Sequence, residues 1–137
     1  MIAVDAGVFL ALADARDAWH QRAVAKWDTQ AEGWMTTWAV LTEASYLLAA
    51  RLGPEFSARL LDDVAEGNLA IWTPGADDIR RIPALLRRYA NLPMDLADAT
   101  MVLLAEHLGH GRILSTDERD FGAYRWKQHK PFHNLLV

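Results

Sequence analysis

Cysteine is absent from the chain. That excludes a disulfide framework and any thiolate metal site, and it suits a reducing compartment such as the cytoplasm. No uninterrupted apolar run approaches the roughly 20 residues needed to cross a bilayer, so no membrane partner is expected. No basic, apolar, small-residue series of the secretory kind opens the chain. The five histidines, His20, His107, His110, His129 and His133, show no ligand spacing such as HExxH and are expected at the surface or at an interface. Positive charge is in the minority: fourteen Lys and Arg stand against eighteen Asp and Glu, a formal net charge of −4. Such a balance disfavours a polyanion binder, unless bound cations offset several of the acids.

What is present is a globular composition. Hydrophobic residues make up 52% of 137, enough to build one core, so a single domain over residues 1–137 is expected. Apolar runs read as strands at Met1 to Val4, Trp34 to Thr37, Leu69 to Thr73 and Arg112 to Thr116. Helical spacing predicts helices over Val8 to Ala15, Trp19 to Ala31 with Asp17 as cap, Trp38 to Arg51, Phe56 to Glu66 and Asp77 to Tyr89, with Pro83 as a possible kink. Lys130-Pro131-Phe132 reads as a small edge strand. Strands alternating with helices imply a parallel sheet covered on both faces, an α/β fold.

The densest stretch is Asn91 to Phe121. There Asp95 and Asp98 open an apolar helix that stops at Gly109-His110-Gly111, and a strand then delivers Asp117. In parallel α/β sheets ligands sit outside the carboxyl ends of the strands, so Asp117 and Asp5 are candidate site residues. Each also reads as an ordinary turn or cap residue. Glu43 shares a helical stripe with Val40 and Leu47, and burying a lone carboxylate is costly, so a base or a metal is expected to hold it, with Thr42 and Tyr46 as alternative hydrogen-bond partners. Asp95 and Asp98 have the spacing of a capping box, and an N3 acid such as Asp98 can also face a cleft. Glu118 and Asp120 read as a solvated charged turn; Ser115 and Thr116 place hydroxyls beside Asp117. If Asp5, Glu43, Asp98 and Asp117 converge, they cannot all stay ionised without cations. All-oxygen donors suit Mg²⁺ or Mn²⁺, the usual equipment for phosphodiester hydrolysis. Arg80, Arg81, Arg87, Arg88, Arg112 and Arg119 are candidates for phosphate contact. The tryptophans read mainly as core or self-association surface, with Trp38 and Trp126 as alternative base-stacking platforms.

Four pieces, IAVDAGVFLAL, TTWAVLTEASYLL, PMDLADATMVLLAEHLG and ILSTDERDF, resemble in order and spacing those of the PIN-domain nucleases, and among them the VapC-type toxins of bacterial toxin–antitoxin pairs. The resemblance covers nearly the whole chain. It implies a three-layer α/β/α domain whose sheet has about five parallel strands in the order 3-2-1-4-5. It also implies a metal-dependent endoribonuclease with Asp5, Glu43, Asp98 and Asp117 as its acids and metal ligands. The implied partners are an RNA substrate, a second copy of the chain in a homodimer, and a small antitoxin protein whose tail enters the acidic groove. Trp27 and Tyr46 are candidates for the homodimer surface. One departure stands out: the hydroxyl or amide residue common just after the first aspartate is replaced here by Ala6-Gly7. Two other readings compete. A phosphotransfer receiver would want a second acid after the first strand and a lysine after the last, and Asp5 stands alone with no lysine between Lys26 and Lys127. A non-catalytic PIN-fold nucleic-acid or protein-binding module differs from the nuclease only in turnover.

Overall fold

The computed structural model describes residues 1–137. In chain order the elements are β1 (Ile2–Val4), α1 (Ala6–Ala13), α2 (His20–Thr29), β2 (Trp34–Thr37), α3 (Trp38–Leu52), α4 (Pro54–Ala65), β3 (Leu69–Trp72) and α5 (Ala76–Arg88). Then follow α6 (Leu96–Leu108), β4 (Arg112–Leu114), α7 (Glu118–Ala123), β5 (Arg125–Trp126), β6 (Lys130–Pro131) and β7 (His133–Asn134). Five strands form one parallel sheet in the order β3-β2-β1-β4-β7. With helices on both faces this is the expected three-layer α/β/α arrangement, and counting only the strands of this sheet its order is 3-2-1-4-5.

The sheet sits in one hydrophobic core. Helix α6 is apolar on nearly every side, so it belongs in the interior; Met101, Val102, Leu103 and Leu104 are all buried. Each such side chain contributes on the order of 1.5–3 kcal/mol of transfer free energy. Its ends are set by local chemistry. The Asp95 carboxylate accepts from the Asp98 amide at 2.8 Å, and Asp98 accepts from the Asp95 amide at 3.2 Å, the reciprocal capping box. Gly109 closes the helix in the left-handed region at φ 79°, where a side chain would be strained. A hydroxyl pair fastens this helix to the sheet. Thr100 donates to the Ala97 carbonyl at 2.7 Å, so Thr37, 2.7 Å away, donates to Thr100. Thr37 also caps α3 by accepting from the Val40 amide.

Several boundaries differ from expectation. Helix α1 begins at Ala6, so Ala6-Gly7 is its first turn rather than a loop. Asp17 does not cap α2; its carboxylate accepts from the Trp19 amide at 2.8 Å, within the turn ahead of the helix. Helix α5 runs unbroken through Pro83. Lys130–Pro131 is not an edge strand of the main sheet. It pairs antiparallel with β5 in a separate hairpin, and the sheet's edge is His133–Asn134, further along the chain. The stretch after Asp117 is the helix α7 rather than a solvated turn. Trp126 is buried, its indole N–H donating to the Pro131 carbonyl, so it is no stacking platform. Trp38 is instead half exposed. Trp27 lies within the chain's own packing, stacked on Trp34 at 4.6 Å and edge-on to Phe9, while Tyr46 projects into solvent.

Candidate functional site

Strands β1 and β4 are parallel neighbours with Val4 opposite Leu114. Their carboxyl ends therefore bring Asp5 and the Ser115–Asp117 segment side by side, and the Asp5 amide donates to the Leu114 carbonyl at 3.0 Å. Helix α6 points its N-terminus at the same place and supplies Asp98. The Thr37–Thr100 hydroxyl pair ties that helix to the start of α3, which supplies Glu43 six residues after Thr37. The result is a groove of about 310 Å³ lined by Asp5, Glu43, Asp98 and Asp117, all four sequence candidates. Two further acids line it: Asp95, and Asp120, which α7 places three residues after Asp117 on the same helical side. Arg119 is the one basic residue of the lining, and its guanidinium is 3.1 Å from Asp120.

The side chains are held unequally. Asp5 is 9% exposed. The Ser115 hydroxyl donates to its Oδ2 at 3.1 Å and accepts from the Asp117 amide at 2.9 Å, linking the two strand ends through one oxygen. Asp117 Oδ1 accepts from the Asp120 amide, which starts α7. Asp98 Oδ2 accepts from the Tyr124 hydroxyl at 3.2 Å as well as from Asp95. The Tyr124 ring is fully buried against Tyr89 and Phe121. Thr116 lies against Gly7, where a Cβ would stand only 2.1 Å from its hydroxyl oxygen. The space left open by Gly7, two residues after the first aspartate, is thus filled from the segment that follows β4.

Glu43 departs from expectation. It is exposed on the groove's rim, not buried in the apolar stripe. Val40, Ala44 and Leu48 carry the buried face of α3, and Glu43 sits beside it. Arg112 lies outside the groove: it begins β4, at the opposite end of that strand from Asp117, and is paired with Glu32. Arg81 is engaged by Glu106. Asp120 and Tyr124 were missed by sequence reasoning. For Asp120 the signal was its spacing from Asp117; for Tyr124 there was none, since its partner is 26 residues away.

Burial in a partly dry groove, with like charges adding to it, shifts the four acids upward. Burial, opposed by the Ala6 amide and Ser115, pushes Asp5 up to about 6, with Glu43 and Asp117 adding repulsion. Burial and then the charge of Asp95 push Asp98 up to about 7. Asp117 is raised mainly by burial, and Glu43 by partial shielding and by Asp95. Burial and the Asp98 charge raise Tyr124 further still, so its hydroxyl remains a donor. The donor set is entirely oxygen, which fits a hard divalent cation and not a thiolate-seeking metal. No three of the carboxylates already stand in a chelating arrangement.

The PIN domain family model matches residues 2–127. Ribonuclease VapC26 of Mycobacterium tuberculosis is 29% identical over 122 residues, covering 89% of this chain and 90% of that protein. Among solved structures, the crystal structure of Mycobacterium tuberculosis VapC20, described as a Sarcin-Ricin loop cleaving toxin, superposes with a TM-score of 0.80. That match is 24% identical and covers 87% of this chain and 92% of the other, a likeness of fold.

Proposed function

This chain belongs to the PIN-domain family, and from that premise we propose that it is a metal-dependent endoribonuclease of the VapC toxin type, hydrolysing RNA phosphodiester bonds in the acidic groove. What carries the reading is the convergence of Asp5, Glu43, Asp98 and Asp117 from four separate elements on one groove. Two of them, Asp5 and Asp98, are held so that ionisation at neutral pH is strained without a cation. VapC26 is named a ribonuclease, which supports the same reaction class.

In this reading Asp5, Asp98 and Asp117 are the principal ligands of Mg²⁺ or Mn²⁺. Such a cation, when bound, supplies an activated water and offsets charge on the phosphoryl oxygens. Ser115 fixes the rotamer of Asp5 through the 3.1 Å hydrogen bond, and Tyr124 does the same for Asp98. Glu43, on the rim, binds the cation directly or through water and orients the attacking water. Arg119 is the one basic residue of the groove's lining, and in this reading it exchanges its exposed pairing with Asp120 for a substrate phosphate. The same reading includes a homodimer, a small antitoxin protein that occupies the groove, and a cytoplasmic setting.

The test is incubation of purified protein with a mixed RNA pool, first in EDTA and then in Mn²⁺. Cleavage only with Mn²⁺ supports the proposal. Intact RNA in Mn²⁺ would instead leave a non-catalytic PIN-fold module.

A further inference from the structure

The basic residues are not spread evenly. No Asp or Glu follows Asp120, while Arg125, Lys127 and Lys130 do. These three lie on and around the β5–β6 hairpin, and Arg87 and Arg88 end helix α5. The two elements are joined: Arg88 donates to the Gln128 carbonyl at 2.6 Å, and the Arg125 amide donates to the Tyr89 hydroxyl at 3.0 Å. None of the five side chains is in an ion pair, in contrast to Arg80, Arg81, Arg112 and Arg119. The lysines are held in place. Their ammonium groups lie 5.9 Å (Lys127) and 5.0 Å (Lys130) from the Trp126 ring centroid, which the hairpin keeps buried.

One end of this surface, at Tyr124 and Arg125, adjoins the acidic groove, and the rest runs from there along α6 towards its C-terminal end. Tyr124, whose hydroxyl donates to Asp98, immediately precedes Arg125. At the far end the Lys127 amide donates to Glu106 at 3.0 Å. Asp98 and Glu106 are eight residues apart on α6, about 12 Å along the axis, a distance a few nucleotides of extended strand can cover. No large apolar side chain is exposed in the C-terminal half of α5 or in the hairpin. Protein partners are usually met through an apolar centre with a polar rim. Here the surface offers unpaired cations spaced along a path, which matches a repeating phosphate backbone.

We propose that the C-terminal end of α5 and the β5–β6 hairpin, through Arg87, Arg88, Arg125, Lys127 and Lys130, bind the sugar-phosphate backbone of single-stranded RNA beside the acidic groove. The inference rests on the groove's reading as an RNA-cleaving site and names the surface that holds its substrate. It also accounts for RNA binding by a chain whose overall charge is negative: the acids and the unpaired cations are sorted onto adjoining surfaces.

The test uses a fluorescein-labelled 12-nucleotide single-stranded RNA, with fluorescence anisotropy of the full-length protein measured in EDTA across a NaCl series. Each phosphate contact in a single strand contributes about 0.7 to the slope of log K against log salt. Lys127→Gln with Lys130→Gln is therefore expected to lower the slope by about 1.4. Arg87→Gln, exposed and remote from the hairpin's own hydrogen bonds, is expected to lower it by about 0.7, which guards against a hairpin that fails to form. Arg22→Gln with Lys26→Gln, on α2, is the control and should leave it unchanged. Hairpin variants matching wild type, equal losses in the α2 control, or wild-type protein that does not bind would overturn the proposal. Cleavage of the same RNA in Mn²⁺ is followed in parallel. Protein that binds with these slopes yet does not cleave would sink the ribonuclease reading alone; protein that cleaves with unaltered slopes would sink the surface alone.

Discussion

The hydroxyl of Tyr124 donates to Asp98 Oδ2 at 3.2 Å, so a fully buried core aromatic sets the rotamer of an acid in the groove. Tyr124→Phe should keep the ring packing with Tyr89 and Phe121 while removing that donor. Partners of metal-ligating carboxylates are typically worth about 10–100-fold in metal affinity. Calorimetric titration with Mn²⁺ should show a weaker dissociation constant by about tenfold. An unchanged constant would reduce Tyr124 to a packing residue.

The raised acids make a pH prediction whose direction follows from proton linkage. Asp5 and Asp98 move from 3.8 to about 6 and about 7 in the folded chain. Between about pH 4 and 7 the folded state therefore binds more protons than the unfolded state, and stability falls as pH rises. The stabilising contribution of these two groups is complete below 3.8 and lost above 7. In EDTA the melting temperature should drop by several degrees between pH 5 and pH 8. In Mn²⁺ the drop should shrink, because bound cation stabilises the ionised groove. A metal-free melting temperature that climbs across this range would contradict the assignment of strain to these acids.

Gly7 and Thr116 should behave as a coupled pair. A Cβ at position 7 meets the Thr116 hydroxyl oxygen at 2.1 Å, but the next nearest atom, Thr116 Cβ, is at an ordinary 3.4 Å. Removing the hydroxyl thus frees the site. In a Thr116→Ala background, Gly7→Ala should stabilise by up to about 1 kcal/mol, the helix propensity gain. With Thr116 present the gain should vanish or reverse, since the side chain must rotate away. Urea melts of the four proteins of the cycle measure the coupling; additive effects would mean the contact is easily relieved.

How far the sequence carried the account differs from residue to residue. Asp5 and Asp117 were legible because the ligand side of a parallel sheet lies outside the carboxyl ends of its strands. The capping box of Asp95 and Asp98 was legible because it is local, closing over three residues. Glu43 was selected for a burial it does not have: stripe membership locates a residue only to within a helical turn, which separates the buried face from the rim. Helix α7 is six residues long, too short for a period to declare itself among three charges. The two-residue strands β5 and β6 lie below any pattern. Tyr124 and the Thr116–Gly7 contact are purely tertiary, visible only once β1, β4 and α6 are assembled.

The central claim is that the acids of the groove act together as a metal-dependent nuclease site, and Asp98 separates that claim from helix capping. Asp98→Asn and Asp95→Asn should be compared for melting in EDTA and for RNA cleavage in Mn²⁺. As a cap acid alone, Asp98→Asn would cost up to about 1 kcal/mol of charge–dipole stabilisation and leave the folded protein active. As a member of the crowded site, it should leave metal-free stability equal or slightly higher, because it removes a strained charge, while cleavage collapses. Asp95→Asn should keep its cap, because the asparagine Oδ1 still accepts from the Asp98 amide, and keep most activity. An Asp98→Asn protein that melts lower in EDTA yet cleaves RNA at the wild-type rate would contradict the account and move the site onto Asp95.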